Sequence, residues 1–496
     1  MRILRTRHII IPALVVMLLI PIIRVGHLDR ISKVYIEDKS IHPTKLLRVR
    51  DETGNLSDKG IVEILTNISI TKPPVLYDID KDGIYEVLVP SNYTLIAYKY
   101  NITSQNLSEI WRISLSRVYN ITIWPKPMNK TETYTIETSP VCADFDGDGN
   151  IEIAIGAGTK IFFINSSGGL IREFELNKTP VELTVMDIDF DGALEAIIKT
   201  QTKELYAVDI FSFNGRIDEV KFGGEVIKSD RRILIARFPR KVGRQPFLWL
   251  TTVSGDYMIF KTFNESFRRG LRAKVYATPA PGNYSLNSSV AGTEFILIFK
   301  KEVAFVIISA EKTYEPHLYI NSTQLFNASP KNILVEPLVA DFDNDSYDEA
   351  FIWLRYNKTL SVIGFVGISN ITEKSPETYL LRTRVVNATP ISSVVGEFDG
   401  NTSAIILLSN GSIWRFYMWN ESVIIEDLSY VENASYILSG DIDNDTFSEL
   451  LVVLNDSIAM LDTNITGDWV HPYHDAHNTN NYDCLLYTSP SPRDRG

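Results

Sequence analysis

Short apolar runs recur along this chain in pairs, and the polar segment between the two runs of a pair is of one kind. The first runs often follow a proline, as in Pro74-Val75-Leu76, Pro140-Val141-Cys142 and Pro337-Leu338-Val339. The second runs are Val87-Leu88-Val89, Ile153-Ala154-Ile155, Ala196-Ile197-Ile198 and Leu450-Leu451-Val452-Val453. Such runs have strand length and are bounded by turn residues, so they predict buried β-strands. Each pair therefore reads as a hairpin. A third strand usually follows, as at Lys160-Ile161-Phe162-Phe163-Ile164, and sometimes a tryptophan such as Trp111 or Trp414. The pattern predicts an all-β protein made of repeated antiparallel units.

The polar connectors carry the chemistry. The clearest is Asp144-Phe145-Asp146-Gly147-Asp148-Gly149-Asn150-Ile151-Glu152. Three carboxylates alternate, a glycine permits a sharp turn after the third, and a glutamate closes the segment. Alternate residues of a tight loop can aim their oxygens at one centre. A hard cation that takes six to eight oxygens at roughly 2.3–2.6 Å suits such a loop, which points to calcium. Without a cation, four carboxylates so close would repel one another. The spacing recurs at Asp78, Asp80, Asp82 and Glu86, and at Asp187, Asp189, Asp191 and Glu195. It recurs again at Asp341, Asp343, Asp345 and Glu349, and at Asp441, Asp443, Asp445 and Glu449, with Ser346 and Thr446 in place of the glycine. A sixth copy, Glu397-x-Asp399-x-Asn401, ends at Ile405 instead of an acid and reads as weak or empty. About five calcium sites are expected.

These D-x-D-x-D-G-x-x-E cores and their strand flanks resemble the FG-GAP (VCBS-type) repeats of the integrin alpha-chain propeller and related surface proteins. The resemblance covers roughly residues 70 to 483. It implies that each repeat is one four-stranded blade with calcium in an inter-strand loop. It also implies that positions one, three, five and nine are side-chain ligands. The seventh position, occupied by Ile84, Asn150, Ala193, Tyr347 and Phe447, would contribute a backbone carbonyl.

The first ligands fall at 78, 144, 187, 341, 397 and 441. The gap from 187 to 341 is three repeats long, so it should hold two units without the motif. Candidate strands there are Ile233-Leu234-Ile235, Phe247-Leu248-Trp249-Leu250, Tyr257-Met258-Ile259-Phe260 and Phe295-Ile296-Leu297-Ile298-Phe299. Seven or eight blades are both compatible with this count, and either number closes a propeller, which protects sheet edges by radial repetition.

The ends differ from this repeat. Arg2, Arg5 and Arg7 precede the uncharged stretch Ile9 to Ile23, which Arg24 closes. As a helix it falls short of the roughly 30 Å hydrocarbon core, and Pro12 and Pro21 weaken it. Residues 1–27 are expected to be a hydrophobic helical segment, either a signal anchor or a cleaved signal peptide. Both place the remainder on the extracellular face of a membrane or in secretion. Residues 28–66 read as a stalk or atypical first strands, 67–483 as the propeller and 484–496 as a non-native tail with no repeat signal.

Composition adds to this picture. The formal net charge of −12 looks like an acidic surface, but five divalent cations would offset most of it. The balance argues against a nucleic-acid binder. Two cysteines, Cys142 and Cys484, give no disulfide framework, and Cys142 reads as a small core residue. There are 25 Asn-x-Ser/Thr sequons, several-fold more than chance composition supplies. They include Asn67, Asn101, Asn120, Asn165, Asn283, Asn370, Asn387, Asn433 and Asn464, and they point to an N-glycosylated surface. The sequons Asn344 and Asn444 sit inside calcium loops, where a glycan would compete with ligation, so these two are set aside.

Two clusters keep alternative readings. His471, His474 and His477 are either a transition-metal cluster or part of a closing tail segment, and Pro472 opposes the helix that would align them. The basic stretch around Lys228, Arg231, Arg232, Arg237, Arg240, Lys241 and Arg244 is either a solvated face or a site for acidic ligands. No Gly-x-Ser-x-Gly elbow, His-Glu-x-x-His motif or phosphate-binding glycine loop is present. The chain therefore reads as a non-enzymatic adhesion or recognition module with a protein or glycan ligand. The alternatives are a secreted polysaccharide-active enzyme on the same scaffold and a structural coat component.

Overall fold

The computed structural model describes residues 49–466, apart from short loops that include 187–193, 345–347, 399–400 and 445–447 and much of the connecting chain between 211 and 331. The N-terminal apolar segment, the histidine tail and most of the basic stretch lie outside the described residues. Among the described residues no helix is long and apolar enough to cross a membrane.

Every regular element described is a strand. A small hairpin, β1 (Val49–Arg50) and β2 (Leu56–Ser57), precedes β3 (Val62–Thr66). The first four-stranded sheet is β4 (Val75–Tyr77), β5 (Glu86–Ser91), β6 (Thr94–Asn101) and β7 (Asn106–Ser114). A hairpin of β8 (Ser116–Ile123) and β9 (Lys126–Thr133) leads to the second sheet, β10 (Val141–Ala143), β11 (Glu152–Ala157), β12 (Lys160–Asn165) and β13 (Leu170–Glu175). The third is β14 (Pro180–Met186), β15 (Glu195–Thr200), β16 (Leu205–Asp209) and β17 (Arg216–Glu219), followed by the short pair β18 (Lys221–Phe222) and β19 (Glu225–Val226).

Two sheets then occupy the interval that lacks the acidic motif. One is β20 (Leu234–Ala236), β21 (Phe247–Thr251), β22 (Tyr257–Lys261) and β23 (Arg269–Arg272); the other is β24 (Ala280–Gly282), β25 (Gly292–Ile298), β26 (Glu302–Ala310) and β27 (Pro316–Gln324). Next comes β28 (Asn332–Ala340), β29 (Glu349–Arg355), β30 (Leu360–Asn370) and β31 (Ser375–Arg384). The last strands are β32 (Pro390–Phe398), β33 (Asn401–Leu408), β34 (Ser412–Trp419) and β35 (Ser422–Tyr430), then β36 (Tyr436–Gly440), β37 (Ser448–Val453) and β38 (Ser457–Thr466). These two groups meet through short pairing of β32 with β38.

Each four-stranded sheet is an antiparallel meander. The second strands β5, β11 and β37 are buried almost throughout, whereas the fourth strands β7 and β13 have at most one buried residue each. The apolar runs of β5, β11 and β37 are continuous because both faces of their sheets are covered. In the second sheet Cys142, Ile153, Ile155, Phe162 and Ile164 pack toward the first, while Ala143, Phe145, Ala154, Ile161 and Phe163 join a core with Leu183, Val185 and Ile198 of the third. Gly156 lets those sheets come together: a Cβ there would lie 2.6 Å from Pro180 Cγ. Trp111 of β7 donates to the Ser166 carbonyl in the β12–β13 turn, at 2.8 Å, linking the rims of adjacent sheets. Trp353 and Trp414 stack with ring centroids 6.4 Å apart and serve the same purpose deeper in the core.

The chain closes on itself. β36 lies against β4, bringing the last sheet onto the first. Leu438, Leu451 and Val453 of the last group share a core with Val75, Leu88 and Ile96. The fourth strand of that last group is not C-terminal: β3 pairs antiparallel with β38, with Val62 opposite Met460 and Thr66 opposite Ser457. The strand just ahead of the repeats thus completes the sheet at their other end.

Candidate metal centre

The acidic segments connect the first and second strands of their sheets, β4 to β5, β10 to β11, β28 to β29 and β36 to β37. Four of them bring carboxylate oxygens of positions one, three and nine within 4.8 Å of one another: Asp78, Asp80 and Glu86; Asp144, Asp146 and Glu152; Asp341, Asp343 and Glu349; Asp441, Asp443 and Glu449. Two oxygens on opposite sides of a calcium ion are separated by at most about 5 Å, twice the usual ligand distance, so this spacing fits the ion.

One device builds all four. The glutamate at position nine is the first or second residue of the second strand and is buried: Glu86, Glu152, Glu349 and Glu449 are between 0% and 3% exposed. Its Oε2 accepts the backbone amide of position two at 2.9 Å, from Ile79, Phe145, Phe342 and Ile442 respectively. The position-two side chains are themselves in the core. An apolar anchor thus fixes the amide, and the amide orients the glutamate.

The loop between is held by its own amides. Asp78 Oδ2 accepts the Gly83 amide at 2.8 Å and Oδ1 accepts the Asp82 amide at 3.0 Å. Asp144 Oδ2 accepts the Gly149 amide at 3.0 Å, and Asp146 Oδ1 the Asp148 amide at 3.1 Å. Gly83 and Gly149 have φ of 91° and 85°, the left-handed region in which a glycine is unstrained. Position four is left-handed as well, in Lys81, Gly147, Asn344 and Asn444. Asparagine tolerates that conformation better than most residues. This gives a local backbone reason for the asparagines of the two sequons inside the loops.

The electrostatics are those of crowded carboxylates. Burial pushes the Glu152 carboxyl up to about 7, reinforced by Asp146, Asp148 and Asp144 and opposed by the Phe145 amide. Burial and its acidic neighbours also raise Asp146. The amide and side chain of Asn150 hold Asp148 below its ordinary value. Asp144 Oδ1 is buried and has no hydrogen-bond partner. A buried carboxylate oxygen left unpaired is costly, and it faces a group of acids that share the same need. A divalent cation satisfies both, so the residues present fit calcium.

The other expected residues fall as follows. Asp187, Asp189, Asp191 and Ala193 lie outside the described residues, but Glu195 is buried at the start of β15, as its counterparts are. Asp345, Tyr347, Asp445 and Phe447 are also outside. Asp82 and Asp148, at position five, are exposed. In the sixth copy Phe398 pairs with Asn401, and Asp399 lies outside the described residues. Cys142 is buried, and burial raises its thiol well above the ordinary range.

Of the glycosylation candidates, Asn67, Asn101 and Asn433 are exposed, and Asn165 is half-buried at the β12–β13 turn with Oδ1 accepting the Gly169 amide at 2.6 Å. Asn120, Asn370 and Asn464 lie in β8, β30 and β38. Asn283 and Asn387 lie outside the described residues.

No protein-family model matches the chain, and no curated protein matches it. Solved structures do show a loose likeness. The BBS1N chain crystallised in complex with ARL6DN is 11% identical, with 82% of this chain and 98% of that chain covered and a TM-score of 0.39. The Dos1 propeller is 12% identical over 81% and 95%, with a TM-score of 0.42. BamB from Moraxella catarrhalis is 10% identical over 79% and 96%, with a TM-score of 0.41. Similarity this distant assigns no role to any residue.

Proposed function

We propose that this chain is an extracellular, calcium-stabilised β-propeller of FG-GAP-like repeats that serves as a non-enzymatic recognition module for a protein or glycan partner. The observation that carries the reading is the fourfold recurrence of one built site: three converging carboxylates, the last a buried glutamate aimed by the amide of a core residue. The ring is eight-bladed: six separate four-stranded sheets, the meander β32–β35, and the closing set β36, β37, β38 and β3. The abundant sequons and the N-terminal apolar segment support an exported, glycosylated location, anchored if that segment is retained.

Calcium supplies rigidity in this account. An ion shared by positions one, three and nine ties the loop between the first two strands to the root of the second. Loops on that rim then present a fixed surface, which favours recognition because less conformational freedom is lost on binding. The carboxylates that a hydrolytic or eliminating enzyme would use are committed to the ion.

Retention of the full-length protein on arrays of extracellular proteins and of acidic and neutral glycans tests this directly. Specific retention in calcium that is lost in chelator is expected. Equal retention in both, or release of shortened glycan products, would contradict it.

A further inference from the structure

The loop at residues 78–86 differs from its counterparts in one respect. Glu86 lies one place beyond the pair Val87–Tyr98, opposite Lys99 of β6. The Lys99 Nζ is 2.9 Å from Glu86 Oε1 and 3.3 Å from Asp80 Oδ2, and it also bonds Asp82 Oδ2. These three acids are expected ligands of positions nine, three and five. The corresponding place opposite Glu152 holds Asn165, and opposite Glu349 it holds Gly367, one place beyond Ala350–Val366. Neither can supply a charge.

We propose that the first loop carries its own cation: the Lys99 ammonium occupies the position that a metal ion takes in the other loops, and the hairpin 78–86 is closed without calcium. The inference rests on the calcium reading of those other loops. An ammonium offers three donors and no acceptor; here it donates to Asp80 and Asp82 and lies within ion-pair distance of the buried Glu86 carboxylate. Calcium would need the same oxygens at roughly 2.3–2.6 Å and could not share that volume with a positive charge.

A lysine of the loop itself, Lys81, bonds the Gly149 carbonyl of the neighbouring loop. The lysine-closed hairpin is thereby tied to a metal loop.

The sixth copy shows the same substitution carried further. There the ninth position is Ile405, and Arg415, on the third strand of its sheet, is buried. Its guanidinium donates to the Phe398 carbonyl at 2.6 Å, to Ser403 Oγ at 2.9 Å and to Glu426 Oε2 at 3.1 Å. It stacks against the rings of Phe398 and Tyr417. In both units the third strand supplies a basic side chain to the base of the connector between the first two.

The test counts calcium bound per full-length chain at saturating calcium by equilibrium dialysis. Asp146→Asn should remove one ion and Asp80→Asn none. Lys99→Gln should gain one ion, and the gain should vanish when Asp80→Asn is added. In chelator, Lys99→Gln should melt below the wild type because three acids lose their counter-ion. Loss of one ion from Asp80→Asn alone would overturn the proposal, and that comparison decides even if Lys99→Gln does not fold. Absence of any bound calcium in the wild type would overturn the calcium reading instead. The chelator melt would then judge Lys99 by itself, with a lower Tm supporting the tethered cation and an unchanged one overturning it.

Discussion

Replacing Ile64 by aspartate should abolish the cooperative thermal transition or lower it by many degrees. Ile64 is 1% exposed and lies in β3, the strand that completes the last sheet. It packs in the same core as Val75 and Leu88 of the first sheet and Leu451 and Ile458 of the last. The variant places an unpaired carboxylate there, which costs several kcal/mol. It also loosens β3, and without β3 the outer edge of β38 is unpaired and open to other chains. The total approaches the ~5–15 kcal/mol by which a folded domain is stable. Thr66→Asp is the control, since Thr66 is exposed at the end of the same strand and a surface change of this kind costs about 0.5 kcal/mol or less. Circular dichroism melts of the two variants separate a clasp at β3 from a simple intolerance of charge. Equal, small effects would mean that β3 does not hold the ring.

Phe145→Ala should cost about 3–5 kcal/mol, the range for removing a buried aromatic side chain. Phe145 is fully buried and meets Phe163 edge-on with centroids 5.2 Å apart. Its amide also holds Glu152. The cavity penalty is independent of metal, so the variant should be destabilised in calcium and in chelator. A further loss of calcium affinity is expected as Glu152 is freed. Asp146→Ala behaves oppositely, being weaker than wild type in calcium and no less stable in chelator, where a repelling charge has gone. Urea unfolding of both variants under both conditions checks the contrast.

Much of this arrangement was legible in the sequence. The apolar runs located both of the first two strands in two sheets and one of them in three more, because a strand covered on both faces must be apolar throughout. The acid spacing marked the loops for a similar reason, since few other uses place carboxylates at alternate positions in a tight turn. The two sheets between 234 and 324 were expected from the interval length alone. Other features needed three dimensions.

The role of position two, filled by Ile79, Phe145, Phe342 and Ile442, was visible as a recurrent apolar residue among acids, but its function depends on a backbone amide that sequence does not display. Asn344 and Asn444 were set aside as sequons because a glycan would compete with ligation; their left-handed backbone, which sequence does not display, adds a local reason for asparagine. Lys99 is thirteen residues beyond Glu86, and only the strand register places it opposite. The pairing of β3 with β38 joins segments almost 400 residues apart, beyond the reach of any local pattern.

The central claim is that calcium holds these loops, and the most direct measurement is the melting temperature of the full-length protein in calcium and in chelator. Extracellular calcium modules have dissociation constants of about 0.1–1 mM. At a hundredfold excess of free ion, each independent metal-bound loop should add about 2.7 kcal/mol. The account predicts a rise of many degrees in calcium, reduced by one site's share in Asp146→Ala. The same melting temperature in calcium and in chelator would contradict it and leave the acidic loops as turns held by their amides alone.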